Sequence, residues 1–408
     1  MKIHGRQWRV MILALALLGW GWPPGAAQTE EKEVIFLSLS DYTGPIAGLA
    51  VHGDAGSEDY FKYLNDKGGV DGVKVKFIGI DTRYDVAKAI SAYRKYRKTP
   101  RLLVINGYST GAGKAIEPMA KKDGVIILTP GDGEFTARIS HIFLWGQCYQ
   151  DAFGATLDWM VKDWRAKGKS GLPTVGYIHW DNPLGREPLR GGKEYAEKIG
   201  VKLLAPEFIP PGTPDHTTYL TRLKEANYIF VGGCDPTPTH VIRDAYRLGL
   251  TQNIQFVCDY WGPSMNVGVK SHPKELQGVV KITFFLDGME ALAHPLIKEV
   301  WTKYRGKPTS EMAPTYGLGM AFSMTYEAGL RLALKNVGYE KLNAQTMFQA
   351  YQMLTGMDVS QGIQGACAYG PMSRRGSKEI RFYRVESEKV VPISGWIMPP
   401  DAASLHKF

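Results

Sequence analysis

The residues best suited to chemistry lie between Arg101 and Gly133, in the stretch RLLVINGYSTGAGKAIEPMAKKDGVIILTPGDG. Gly107-Tyr108-Ser109-Thr110-Gly111 follows an apolar, β-branched run from Leu102 to Ile105, and a helical stretch from Ala115 to Lys122 comes after it. Three chemistries fit this turn. G-x-S-x-G between a strand and a helix is the elbow that exposes a nucleophilic serine in hydrolases. That reading needs an acid and then a histidine downstream, and Asp259 with His272, or Asp287 with His294, supplies them in that order. In the second reading, the Ser109 and Thr110 hydroxyls join the free amides of the first helical turn and cradle a carboxylate. In the third, Ser109 and Thr110 only cap the helix. A second polar turn, Thr129-Pro130-Gly131-Asp132-Gly133, follows the strand-like run Val125 to Leu128. In a parallel sheet both turns lie at the carboxyl ends of strands, where open α/β sheets bind ligands.

Other motifs narrow the chemistry. Gly113-Lys114 lacks the earlier glycine and the following Ser or Thr of a phosphate-binding loop, since Tyr108 and Ala115 stand there. The histidines form no H-E-x-x-H, and the cysteines no C-x-x-C, so no metal or cofactor is expected. Cys148, Cys234, Cys258 and Cys367 are compatible with disulfides 234–258 and 148–367, and equally with buried thiols. Asp81 closes an apolar run and is expected to fix a turn. Tyr42, Tyr108, Tyr260 and Trp261 all fall where apolar runs end. Aromatic side chains there suit an apolar pocket with a few polar groups, the usual small-ligand site.

These residues need strands and helices to hold them. From Val34 the chain alternates apolar strands with amphipathic helices, a β-α-β-α-β-α-β order that predicts a parallel sheet. A second alternation starts at Thr174 and runs through the strands Thr174–His179, Tyr228–Val231 and Ile254–Val257. Helical stretches follow from His294 to Leu354, and Glu379–Val385 with Lys389–Ile393 reads as a hairpin. At 408 residues the chain exceeds the usual single-domain length. The formal charge of +9 is dispersed among mixed charges, with no basic stripe interleaved with aromatics, so nucleic acid is not an expected partner. Lys2, Arg6 and Arg9 precede the apolar Val10–Leu18 and the small residues Gly25-Ala26-Ala27. Residues 1–27 therefore read as an export signal, and the apolar run is short for a membrane span.

Taken in order, Thr43-Gly44-Pro45-Ile46-Ala47, Gly68-Gly69 with Gly72, Asp81, Gly107-Tyr108-Ser109-Thr110, Thr129-Pro130-Gly131 and His179 to Gly185 form a pattern. That pattern, with the late Gly370 to Arg384 segment, resembles the periplasmic solute-binding proteins of ABC transporters, branched-chain amino-acid (leucine-binding) type. The resemblance implies an α/β fold of type I: two Rossmann-like lobes with parallel sheets joined by a three-strand hinge. It implies lobe one at 28–147 plus 283–356 and lobe two at 148–282 plus 357–408. It implies a non-enzymatic, monomeric periplasmic protein that closes on a small amino acid or related solute and delivers it to an inner-membrane permease. Its ligand contacts map to Tyr108, Ser109, Thr110, Gly131, Asp132 and Gly133 in one lobe, with Tyr42 added as a strand-end aromatic. Leu184, Cys234, Tyr260 and Trp261 supply the other lobe. The chain departs from the family at Asp132 and Gly133, where a small residue and a Thr are usual. It departs again at Tyr260, where amino-acid binders often carry an acid for the ligand's ammonium. An unpaired Asp132 would repel an anion or demand a cation. These departures widen the expected ligand to an aromatic acid or an amide. A secreted serine hydrolase and a ligand-sensing receptor domain are the alternatives.

Overall fold

Leu37, Ile105 and Ile127 are fully buried because helices cover both faces of the strands that carry them. The structure is a computed structural model that describes residues 31–408. The export signal expected at 1–27 lies outside the described residues. The first sheet contains Glu33–Ser40 (β1), Lys74–Asp81 (β2), Leu102–Gly107 (β3), Ile126–Thr129 (β4) and Ile142–Leu144 (β5). Its order is β2-β1-β3-β4-β5, with every pair parallel. Crossovers between parallel strands place β1 and β3 side by side, so the turns after them open at the same edge.

The second sheet repeats the plan. Its strands are Thr174–Trp180 (β6), Lys202–Leu203 (β7), Glu207–Ile209 (β8), Tyr228–Val231 (β9), Gln255–Cys258 (β10) and Val280–Thr283 (β11), followed by Arg381–Glu386 (β12) and Lys389–Pro392 (β13). The order is β13-β12-β11-β10-β9-β6-β7, and β8 also pairs with β6. The expected hairpin is β12–β13, which adds antiparallel to β11. This is the type I two-lobed α/β architecture that the resemblance implies, built on the parallel sheets that the alternation predicts.

Local differences have local causes. The helix expected to start at Ala115 starts at Thr110 and runs to Asp123. Ser109 caps it by accepting a hydrogen bond from the Ala112 amide at 3.2 Å. After β6 a short helix, Pro183–Arg186, precedes the second helix, Leu189–Ile199. Gly191, at φ +103°, breaks the second near its start, where its backbone packs against Ala402. Of the two readings of the cysteines the structure has the buried thiols and not the disulfides: Cys148, Cys234, Cys258 and Cys367 are all free and buried. Burial raises the pKa of each thiol, that of Cys367 to about 12.

Candidate functional site

The turn after β1 is built first by carboxylates. Asp41 accepts the Ile46 amide at 2.9 Å, and Asp81 accepts the Tyr42 amide at 2.9 Å and the Thr43 hydroxyl at 2.7 Å. Asp81 thus fixes a turn, as expected. The helix Ala47–Asp66 follows and buries Asp54 behind the same strand ends. Asp54 accepts hydroxyls from Ser38 (2.8 Å), Tyr42 (2.7 Å) and Tyr108 (3.0 Å). Burial raises the pKa of its carboxyl, and the hydroxyl donors pull it back down. The phenols of Tyr42 and Tyr108 are therefore spent on Asp54.

The structure divides the Tyr108-Ser109-Thr110 turn. Tyr108 lies edge-on to Trp145, with ring centroids 5.0 Å apart. Ser109 caps its helix. Asp259 meets His179, and Asp287 meets Lys281, so the acids that an elbow reading needs are engaged elsewhere. Thr110 is buried, and its hydroxyl has no hydrogen-bond partner. It faces a narrow central pocket with Tyr108 and Tyr84.

The turn after β4 serves the neighbouring helix, Tyr149–Ala166. The Gly131 carbonyl accepts the Tyr149 amide at 2.7 Å, and the Gly133 amide donates to Gln150 at 3.0 Å. Asp132 meets Lys114 at 2.8 Å and accepts the Glu134 amide at 2.9 Å. The cation that Asp132 demands is thus Lys114 of the same chain. Lys114 also meets Glu187 at 2.6 Å, and Arg190 meets Glu134 at 3.1 Å and Glu187 at 3.0 Å. Burial, and then the Glu187 charge, raise the pKa of Asp132 to about 7 against the pull of Lys114. Burial disfavours the Lys114 ammonium, but Asp132 and Glu187 outweigh it and raise its pKa. Asp132, Glu134 and Glu187 bring oxygens within 4.8 Å of one another, a spacing that could hold a metal. Lys114 and Arg190 already neutralise them.

Facing walls come from the second sheet. Leu184 follows β6 on a short helix capped by Asn182, and Cys234 follows β9. Both line the central pocket, as does Trp261 after β10. His179 Nδ1 accepts the Trp180 amide at 2.8 Å, which leaves the ring proton on Nε2 to donate to Asp259 at 3.1 Å. Asp259 also accepts the Trp261 amide at 3.0 Å and so sets that loop. Tyr260 sends its hydroxyl to the carbonyls of Gln147 (3.2 Å) and Cys148 (3.3 Å), so only its ring reaches a cavity.

Of the residues named from sequence, Tyr108, Thr110, Leu184, Cys234 and Trp261 line the central pocket. Tyr42, Ser109, Gly131, Asp132 and Gly133 are occupied in holding turns and helix ends. Sequence reasoning missed Tyr84, Trp145 and Tyr149, which complete the pocket. Their signal is an aromatic at the end of an apolar run or the start of a helix. Beside the pocket lies a larger chamber that shares Leu49 and Trp261 with it. Tyr260, Lys281, Phe285 and Asp287 belong to this chamber.

Comparison with known proteins gives the site its context. The chain is 22% identical over 223 residues to the Leu/Ile/Val-binding protein of Citrobacter freundii, covering 54% of this chain and 59% of that one. It thus spans just over half the length of that curated relative. A branched-chain amino-acid ABC transporter structure from Thermus thermophilus, with bound valine, superposes with a TM-score of 0.79. The identity is 20%, over 91% of this chain and 98% of that one. An ABC-transporter solute-binding protein from Rhodopseudomonas palustris HaA2, in complex with p-hydroxybenzoic acid, superposes at 0.74 with 15% identity over the same shares. The periplasmic binding protein family pattern matches residues 37–389, nearly the whole described chain, and this chain belongs to that family.

Proposed function

We propose that this protein is the extracytoplasmic solute-binding component of an ABC importer, which takes a small organic solute between its lobes and presents it to a membrane permease. The observation that carries this reading is the meeting of strand-end turns from both sheets around one aromatic-walled space. Trp145 stands at its centre, 5.0 Å from Tyr108 and 5.8 Å from Trp261 by ring centroids. A ligand held there touches both sheets at once and so favours the closed arrangement. Lobe one is assigned to 28–147 plus 283–356 and lobe two to 148–282 plus 357–408, with the crossings between them as the hinge. The ligands named for the two superposed structures, valine and p-hydroxybenzoic acid, support a small solute with an apolar body. Leu49, Tyr260 and Trp261, which face the larger chamber, are its proposed contacts, and Thr110, Leu184 and Cys234 wall the narrow pocket beside it.

Titration calorimetry and thermal shift across amino acids, aromatic acids and amides test the reading. A saturable ligand that raises Tm supports it. A panel without such a ligand, together with no capture of a permease from solubilised membranes, would argue against it.

A further inference from the structure

The chamber beside the central pocket carries an inference that rests on the solute-binding reading. The central pocket encloses about 10 Å³, room for no more than one water. The adjoining chamber encloses about 250 Å³. Its walls are largely apolar, with Pro45 and Leu49 on one side and Trp261, Phe285 and Pro314 on others. A solute body of useful size therefore fits the chamber and not the pocket.

The ionisable groups lining the chamber are engaged within the protein. Lys281 is 4% exposed and meets Asp287 at 2.6 Å. Asp287 also accepts the Gly288 amide at 2.6 Å. Asp235 accepts the hydroxyl of Thr239 and, at 3.2 Å, that of Ser264. Burial raises the pKa of Asp235 against the pull of its hydroxyl and amide donors. Among the described residues that line the pocket and the chamber, Lys281 and Asp287 pair with each other, and the Asp235 carboxylate is already met by the donors of Thr239 and Ser264. A charged solute would lose its hydration here and meet only charged groups that already have protein partners. Hydrogen-bond donors do remain. A lysine ammonium carries three N–H groups. Lys281 is ion-paired with Asp287, and its one hydrogen bond is a long 3.5 Å contact to the Pro263 carbonyl. The hydroxyl of Thr315, on the chamber wall, has no hydrogen-bond partner.

We propose that the chamber walled by Leu49, Trp261, Phe285 and Pro314 is the principal solute site, and that it takes an uncharged, largely apolar solute whose hydrogen-bond acceptor reaches Lys281. A small amide or ketone fits this description, and a zwitterionic amino acid does not.

Two matched series test it by calorimetry at neutral pH: isovaleramide, isovalerate and leucine, then benzamide, benzoate and benzylamine. The amides are expected to bind at least tenfold tighter than the charged members of their series. Gly48 lines the chamber, and a Cβ added there meets nothing within 4 Å. Gly48→Phe is therefore expected to fold with an unchanged Tm and to weaken amide binding at least tenfold. Gly48→Leu replaces it if the larger side chain lowers Tm. A charged member binding as tightly as its amide overturns the solute class and leaves the transport reading standing. Undiminished amide binding to a folded Gly48 variant overturns the location. No binding by either series overturns the inference; if the broad panel also gives none, the transport reading falls with it.

Discussion

Asp132 shows how one side chain changes meaning once its neighbours are known. In the sequence it stands in a ligand-facing turn and opposes an anion. In the fold it is buried against Lys114, within reach of the Glu187 charge. Its pKa is raised to about 7, above that of an unfolded carboxyl. Such a group adds stability below the unfolded value near 4, and that stability is lost as pH rises through about 7. Asp132→Asn removes this term, so the Tm of the variant relative to the parent is expected to climb between pH 4 and 7. A constant difference across that range would contradict it. Tyr108 makes a separate case. Its hydroxyl is one of three donors to buried Asp54. Tyr108→Phe is expected to cost about 1–3 kcal/mol in urea unfolding, because the hydrogen bond goes to a carboxylate. An unchanged midpoint would mean that this hydroxyl is free for a solute.

At the scale of elements, the pocket depends on two close approaches. The helices Ala47–Asp66 and Pro314–Val337 touch through glycines, since a Cβ on Gly319 would overlap the Gly53 carbonyl and one on Gly56 the Tyr316 carbonyl. Backbone atoms cannot step aside as a side chain can. Gly319→Ala is therefore expected to cost about 1–3 kcal/mol by overpacking, read as a lower urea midpoint. The second approach joins the helix Thr110–Asp123 to the helix Pro183–Arg186 and its C-cap. Lys114 on the first meets Glu187, the C-cap of the second. Lys114→Met leaves the buried carboxylates of Asp132 and Glu187 without this cation, and about 3–5 kcal/mol of destabilisation is expected. Guanidinium unfolding checks it, and a loss under 1 kcal/mol would show that Arg190 suffices.

For the whole molecule, a parallel sheet and a mostly parallel one bring their strand-end turns to a common space. A solute bound there contacts both, so its binding energy adds to folding stability. At a free concentration of 100 times its Kd, a solute is expected to add about 2.7 kcal/mol. Each kcal/mol is read as about 2–4 °C in Tm for a domain of roughly 150–250 residues.

Much of this was decided by local sequence. The β-branched runs of β1, β3 and β9 are continuous because both faces are covered, and continuity is visible in a line of letters. Glycine, proline and hydroxyl residues mark where those strands end. Thr110 and Trp261 were legible as pocket residues because each sits at such an end, and Leu184 and Cys234 through the family resemblance. Partnerships across the chain were not legible. Lys281 lies inside the apolar run GVVKITFF, and nothing in that run names Asp287 as its counter-charge. Lys114 sits in a failed phosphate-loop match, yet it neutralises Asp132 and Glu187. Periodicity and turn chemistry act over a few residues, so sequence by itself determined the strands, the turns and the family pattern. Charge pairing, cavity shape and the use of each hydroxyl depend on residues distant in the chain, and only the tertiary structure brings those together.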